Sequence, residues 1–247
     1  MENVESKGEN IEFADNGFDD SLDLDLDGFD LSLGADLDGF EESQWIAPAL
    51  DRGIPQRLIR YDNAAKLAND IEIKRGMRTF VIVSGNFIFG DFIEALFAEK
   101  QIKAKRLSIS TLSLNQNNAD SLANIAHGGF VDRIDLIISA WFYAHERHKK
   151  GLIPYLYATV GKDGFAFDLA VSGSHTKIAV IETEAGNWLT IHGSANLRSS
   201  GCTEQIVIEE GEDLAKFCLA VHDKTLEVFS TSRKPLRAAK QWEAING

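Results

Sequence analysis

The chain has 247 residues, 44% of them hydrophobic, enough to bury the core of one large domain or two small ones, which excludes disorder throughout. No apolar run reaches the roughly 18 residues of a membrane span, and the first residues, Met1-Glu2-Asn3-Val4-Glu5, lack the basic and apolar regions of a signal peptide. The two cysteines, Cys202 and Cys218, form no CxxC and no Cys/His cluster, so neither a disulfide scaffold nor a structural zinc site is expected. These features predict a cytoplasmic protein with reduced thiols, no metal site and no cofactor.

The net charge of -13 is concentrated at one end. Residues 1–42 hold 15 Asp/Glu and one Lys, leaving 23 acids against 24 Lys/Arg in 43–247, net +1. Within the acidic stretch Gly17-Phe18, Gly28-Phe29 and Gly39-Phe40 recur 11 residues apart. So much charge with interspersed glycine cannot bury enough apolar surface to order itself, which predicts a flexible, disordered acidic arm able to dock a protein partner. Asp23, Asp25, Asp27 and Gly28 match the opening of a calcium loop, but its twelfth position is Gly34 rather than a bidentate Glu. Residues 43–247 are predicted to form the globular domain, ending in a basic segment with Arg233, Lys234, Arg237 and Lys240. Its local basic runs keep a phosphate ligand allowed.

In chain order the domain opens with Ala64, Leu67, Ala68 and Ile71 at helical spacing, then a short strand, Thr79 to Ser84. Phe89, Phe92, Ile93, Leu96 and Phe97 form a helical stripe, Leu107 to Leu112 reads as a strand, and Leu122 with Ile125 marks a short helix. The continuous apolar run Ile134 to Ala140 suits the middle of a sheet. Strands are predicted over 153–159, 165–171, 176–182, 188–192 and 205–209, with turns at Gly161 to Gly164 and Ala185 to Asn187. Leu214, Phe217, Cys218, Val221, Thr225 and Val228 stripe a last long helix. The sum is an α/β fold, a mixed β-sheet flanked by helices on both faces.

Chemistry concentrates at His175, Lys177, Gly193, Ser194, Asn196 and Glu204. Side chains two apart on a strand share a face, so His175 would sit beside Lys177 and Ser194 beside Asn196. A hairpin between the strands would then gather an imidazole, an ammonium, a hydroxyl and an amide. Such a set suits a phosphodiester: a nucleophile or proton carrier, a fixed positive charge, and neutral donors for the non-bridging oxygens.

These residues resemble the signature of the phospholipase D superfamily, His-x-Lys followed by Asp and then Gly-Ser-x-Asn. His175, Lys177, Gly193, Ser194 and Asn196 match it, Glu204 lies where many members have a supporting acid, and Glu182 stands at the Asp position. The resemblance implies a phospholipase D-like sheet of seven or eight strands and a metal-independent phosphodiesterase working through a phosphohistidine. It also implies a homodimer, because members use two His-Lys motifs and this chain has one. His175 would attack phosphorus, the second copy would protonate the leaving oxygen, Lys177, Asn196 and Ser194 would hold the phosphoryl oxygens, and Glu204 and Glu182 would orient the imidazole.

Nucleic acid, DNA ahead of RNA, is the expected substrate. Trp141 and Tyr143, followed by Arg147, Lys149 and Lys150, combine stacking surface with positive charge. The alternatives are a catalytically inactive DNA-binding or scaffold protein of the same fold, and a phospholipid phosphodiesterase. The acidic arm and the lack of a membrane-anchoring segment oppose the last, and a membrane partner is not expected.

Overall fold

The computed structural model describes residues 56–84, 87–149, 151–198 and 201–229, all within one unit, Gly53–Gly247. The acidic arm and the basic C-terminal segment lie outside the described residues. So do Lys150 and the side chains of Arg147 and Lys149.

Eight strands form one sheet: β1 (Gln56–Tyr61), β2 (Arg78–Val83), β3 (Ala104–Thr111), β4 (Arg133–Ser139), β5 (Ala166–Ser172), β6 (Ile178–Thr183), β7 (Trp188–Gly193) and β8 (Glu204–Glu210). Their spatial order is β1-β2-β8-β7-β6-β3-β4-β5. β1 and β2 are parallel, as are β3, β4 and β5, whereas β8, β7 and β6 pair antiparallel to their neighbours. Six strands therefore run one way and only β8 and β6 run back. One edge of the sheet consequently gathers the carboxyl ends of β2, β3, β5 and β7 with the amino ends of β6 and β8. Ligands of open α/β sheets bind outside such an edge.

The sheet is mixed and carries helices on both faces, as the alternation in the sequence predicts. On β6, Ala179 and Ile181 face the main core while Val180, between them, faces a second cluster with Ala215, Cys218 and Leu219 of α6 (Glu212–Val228). The main core takes Leu67 of α1 (Ala64–Asp70), Leu96 of α2 (Phe89–Glu99), Leu122 of α3 (Gln116–His127) and Leu156 of α5 (Leu152–Thr159). The predicted stripe Phe89, Phe92, Ile93, Leu96 and Phe97 is buried along its length, which is what selects helix there.

Residues 153–159, expected as a strand for their apolar and aromatic content, form α5. Pro154 falls in its first turn, where a backbone N–H has no intrahelical partner, whereas in a strand it would remove a ladder donor. Leu156 and Val160, four apart, are the buried positions. The aromatic run after β4 is likewise helical, α4 (Ala140–Lys149). Its Phe142 is buried and its backbone N–H donates to Ser139 Oγ at 3.0 Å, while Trp141 is 47% exposed.

At the edge away from the gathered ends a fully buried carboxylate, Asp135, is held by Arg106 Nε at 2.5 Å and Arg133 Nε at 2.8 Å. Arg106 also reaches Asp223 at 2.5 Å and so pins α6 to the sheet. Leaving Asp135 without these partners would cost several kcal/mol, roughly 3–5. On the same helix His222 is 3% exposed and its Nδ1 lies 2.8 Å from Ser108 Oγ. Burial holds the imidazole down at about 4, with Arg106 adding to the effect. The unfolded chain therefore binds a proton that the folded protein refuses. Stability is fully present above about 6.5 and is lost as pH falls through the window from 6.5 to about 4, by on the order of 3 kcal/mol. Urea denaturation across that window should show this loss, and the part due to His222 should be absent in His222→Phe.

Candidate active site at the carboxyl edge of the sheet

The connection from β5 to β6 carries the first half of the site. Strand β6 begins at Ile178, so His175 and Lys177 precede it rather than lying on it, and strand alternation does not set their directions. The segment is fixed instead by hydroxyls. Ser174 Oγ and Thr176 Oγ1 are 2.8 Å apart, and Thr176 Oγ1 donates to Ser110 Oγ on β3 at 2.8 Å. Lys177 is half-buried and His175 exposed; Lys177 Nζ donates to the His175 carbonyl at 2.9 Å. An ammonium has three donors, so two remain for a ligand.

The second half follows β7. The hairpin register, Ile178 opposite His192 and Glu182 opposite Trp188, matches the pairing expected from sequence. It brings the two halves together: Gly193 N donates to the Lys177 carbonyl at 3.2 Å. Only glycine fits at 193, because a Cβ there would lie 2.1 Å from the Gln205 carbonyl oxygen and 2.8 Å from Ile206 Cα on β8.

Beyond Gly193 the chain crosses toward β3. Ala195 and Leu197 are buried, Leu197 N donates to Thr111 Oγ1 at 3.2 Å, and its carbonyl accepts from Gly90 N at the start of α2. Asn196 Oδ1 accepts from Leu112 N at 3.2 Å. That commits the amide oxygen and leaves the Asn196 NH2 group to donate. Ser194 Oγ donates to Glu204 Oε2 and accepts from Gln205 N at 3.0 Å. Its one proton is spent on the carboxylate, so Ser194 and Glu204 act together as a clamp between β7 and β8. Neither the donation of Ser194 to a phosphoryl oxygen nor the contact of Glu204 with the imidazole, both expected from sequence, is what this geometry provides.

Glu182 stands apart. It is at the far end of β6, opposite Arg106 on β3, with its carboxylate 3.6 Å from Lys105 Nζ. Seven residues separate it from His175, a distance of the order of 20 Å along an extended chain, so it orients nothing at the imidazole. Trp141 is at the gathered edge, directly after β4, whereas Tyr143 is half-buried against the main core. Sequence reasoning gives no site role to Thr111, Leu112, Ser84 or His222. Thr111 and Leu112 anchor the 193–197 segment, and Ser84, next to the strand residue that pairs with Glu204, keeps a buried Oγ without a hydrogen-bond partner among the described residues. Their one signal was position: each stands at or just beyond the carboxyl end of an apolar run.

No protein-family model matches the chain, and no curated protein does. Among solved structures the chain is similar to a phospholipase D family member. That protein, Nuc from Salmonella typhimurium, shares 16% identity at a TM-score of 0.38, over 55% of this chain and 84% of its own. NucT from Helicobacter pylori follows at 14% identity and 0.37, over 51% and 82%. Polyphosphate kinase from Porphyromonas gingivalis shares 15% at 0.38, over 74% of this chain and 30% of its own. Identity and TM-score are both low.

The close approach at Gly193 gives a direct check. Gly193→Ala should lower the urea midpoint by an amount equivalent to about 3 kcal/mol at unchanged slope, since neither backbone it meets can yield.

Proposed function

We propose that the chain is a metal-independent phosphodiesterase acting on nucleic acid, with His175 as nucleophile and an active site shared across a homodimer. The observation that carries this reading is the meeting of the His175-Lys177 segment with the Gly193-Asn196 segment at the gathered edge, joined through the Gly193–Lys177 backbone bond. His175 attacks phosphorus and displaces the alkoxide. Lys177 and the Asn196 amide, both donors, stabilise the charge that builds on the non-bridging oxygens. Water then hydrolyses the phosphohistidine.

The leaving oxygen needs a proton, and His222 cannot supply it. It lies near His175, but burial keeps its ring neutral far below pH 7. His192, at the end of β7, is likewise pushed down by desolvation. A second copy of His175, brought in by a two-fold interface, meets the need. Nucleic acid is favoured by Trp141, an exposed stacking surface at the same edge, and by the exposed Arg198 just beyond Asn196. No helix among the described residues is long and apolar enough to cross a membrane.

A second reading is supported by a specific feature: among the described residues no hydrogen bond holds the His175 ring. A protein of this build that binds DNA without turnover would retain affinity while cleaving nothing.

His175→Ala should lower kcat on single-stranded or duplex DNA by at least about a thousandfold, Lys177→Ala by about a hundredfold or more, and EDTA should leave the wild-type rate unchanged. Glu182→Gln should stay close to wild type. Activity that survives in His175→Ala, or that EDTA removes, overturns the mechanism. Light scattering should return twice the 27.3 kDa chain mass, and a fully active monomer would overturn the shared site.

A further inference from the structure

A cavity of about 420 Å³ opens beside His175 on the α6 face of the sheet. Its floor is Ser110, Ile137 and Ile178 from β3, β4 and β6, its mouth is Gly173 to Thr176, and α6 walls it with Cys218, Val221 and His222. The volume lies within the range, roughly 300–1,000 Å³, of small-molecule pockets.

The chemistry of this wall is specific. Among the described residues no Lys, Arg, Asp or Glu lines the cavity. Burial pushes the Cys218 thiol up to about 11 and holds His222 down at about 4, so at neutral pH both are uncharged. A phosphate or carboxylate in the cavity would lose its hydration with no cation in the α6 wall to replace it. Against this apolar background one polar atom of the α6 wall is unanswered: His222 Nε2 is buried and has no hydrogen-bond partner among the described residues. Its Nδ1 is engaged by Ser108, so the ring presents one hydrogen-bonding site, and a buried site left unmade is destabilising. Ser110 and Thr176 add hydroxyls between the His222 ring and His175.

We propose that this cavity takes an uncharged heteroaromatic base, that of the nucleotide whose phosphate lies at His175. A nucleobase is planar and neutral, and its edge carries both donors and acceptors, so it satisfies His222 Nε2 in either ring tautomer. Its faces pack on Ile178 and Val221 while the sugar leads out past Thr176 to the phosphate. This inference rests on the phosphodiesterase reading and gives it a base-binding subsite, which distinguishes a nucleotide substrate from one whose phosphate carries only a flexible polar or cationic group.

Adenosine, which has no phosphate, isolates the cavity from the chemistry. Calorimetric titration into the full chain should give saturable binding with a dissociation constant below about 1 mM. His222→Phe, which removes the buried nitrogen, and Val221→Trp, which fills the cavity from α6, should each weaken binding at least tenfold while keeping the wild-type circular dichroism. If His222→Phe does not fold, Val221→Trp carries the test. In cleavage assays adenosine should raise KM and leave kcat unchanged. Absence of saturable binding, equal affinity in the folded variants, or tighter binding of choline than of adenosine overturns the inference. Protein that cleaves DNA but does not bind adenosine removes the subsite and leaves the phosphodiesterase; protein that binds adenosine and cleaves nothing does the reverse.

Discussion

The backbone contact of β7 with β8 at Gly193 is the constraint on which the site depends. With no Cβ between them, the two strands close tightly enough for Ser194 to bridge onto Glu204 and the Gln205 amide. The same residue donates its N–H to Lys177, so one position ties three strands together at one edge. A side chain there would open the strand ends and separate the segments that carry the imidazole and the ammonium from those that carry the amide. Packing, rather than any direct chemical role, explains why glycine stands in the middle of the motif.

The rest of the molecule supplies opposite environments on the two sides of that edge. Toward α1, α2 and α3 the sheet buries a large apolar core, and Ala195 and Leu197 draw the 193–197 segment into it. Toward α6 the covering among the described residues is that helix, held to the sheet by Arg106 between Asp135 and Asp223 and facing the cavity with Cys218 and His222. Beside α6 lies a cavity that adjoins His175. Low dielectric in that space is what keeps the His222 ring neutral and its unpaired nitrogen costly. The charged chemistry and the uncharged cavity are thus neighbours with a shared mouth at Ser174 to Thr176.

Hydrogen-bond supply divides the motif residues by role. Asn196 spends its oxygen on Leu112 and keeps its donors, and Lys177 spends one of three. Ser194 spends its only proton on Glu204 and becomes part of the scaffold. A residue type suited to a reaction is therefore no guide to its role until its protons are counted.

Local pattern alone is enough to place the strands and helices whose burial is periodic, such as the α2 stripe and the apolar β4, because pattern there coincides with what the core demands. The β6–β7 pairing is legible in the same way, and the candidate residues His175, Lys177 and Asn196 stand within one hairpin of each other. The sequence by itself could not decide between strand and helix at 153–159, where apolar and aromatic content favours one and the place of Pro154 the other. Nor could it show that Glu182 faces Lys105 and Arg106, that Glu204 meets Ser194, or that His222, 47 residues beyond His175, lines the same cavity. Those relations join residues from separate elements across the sheet. Only the order of the strands and the seating of α6 fix them, because long-range pairing carries no local signal in the chain.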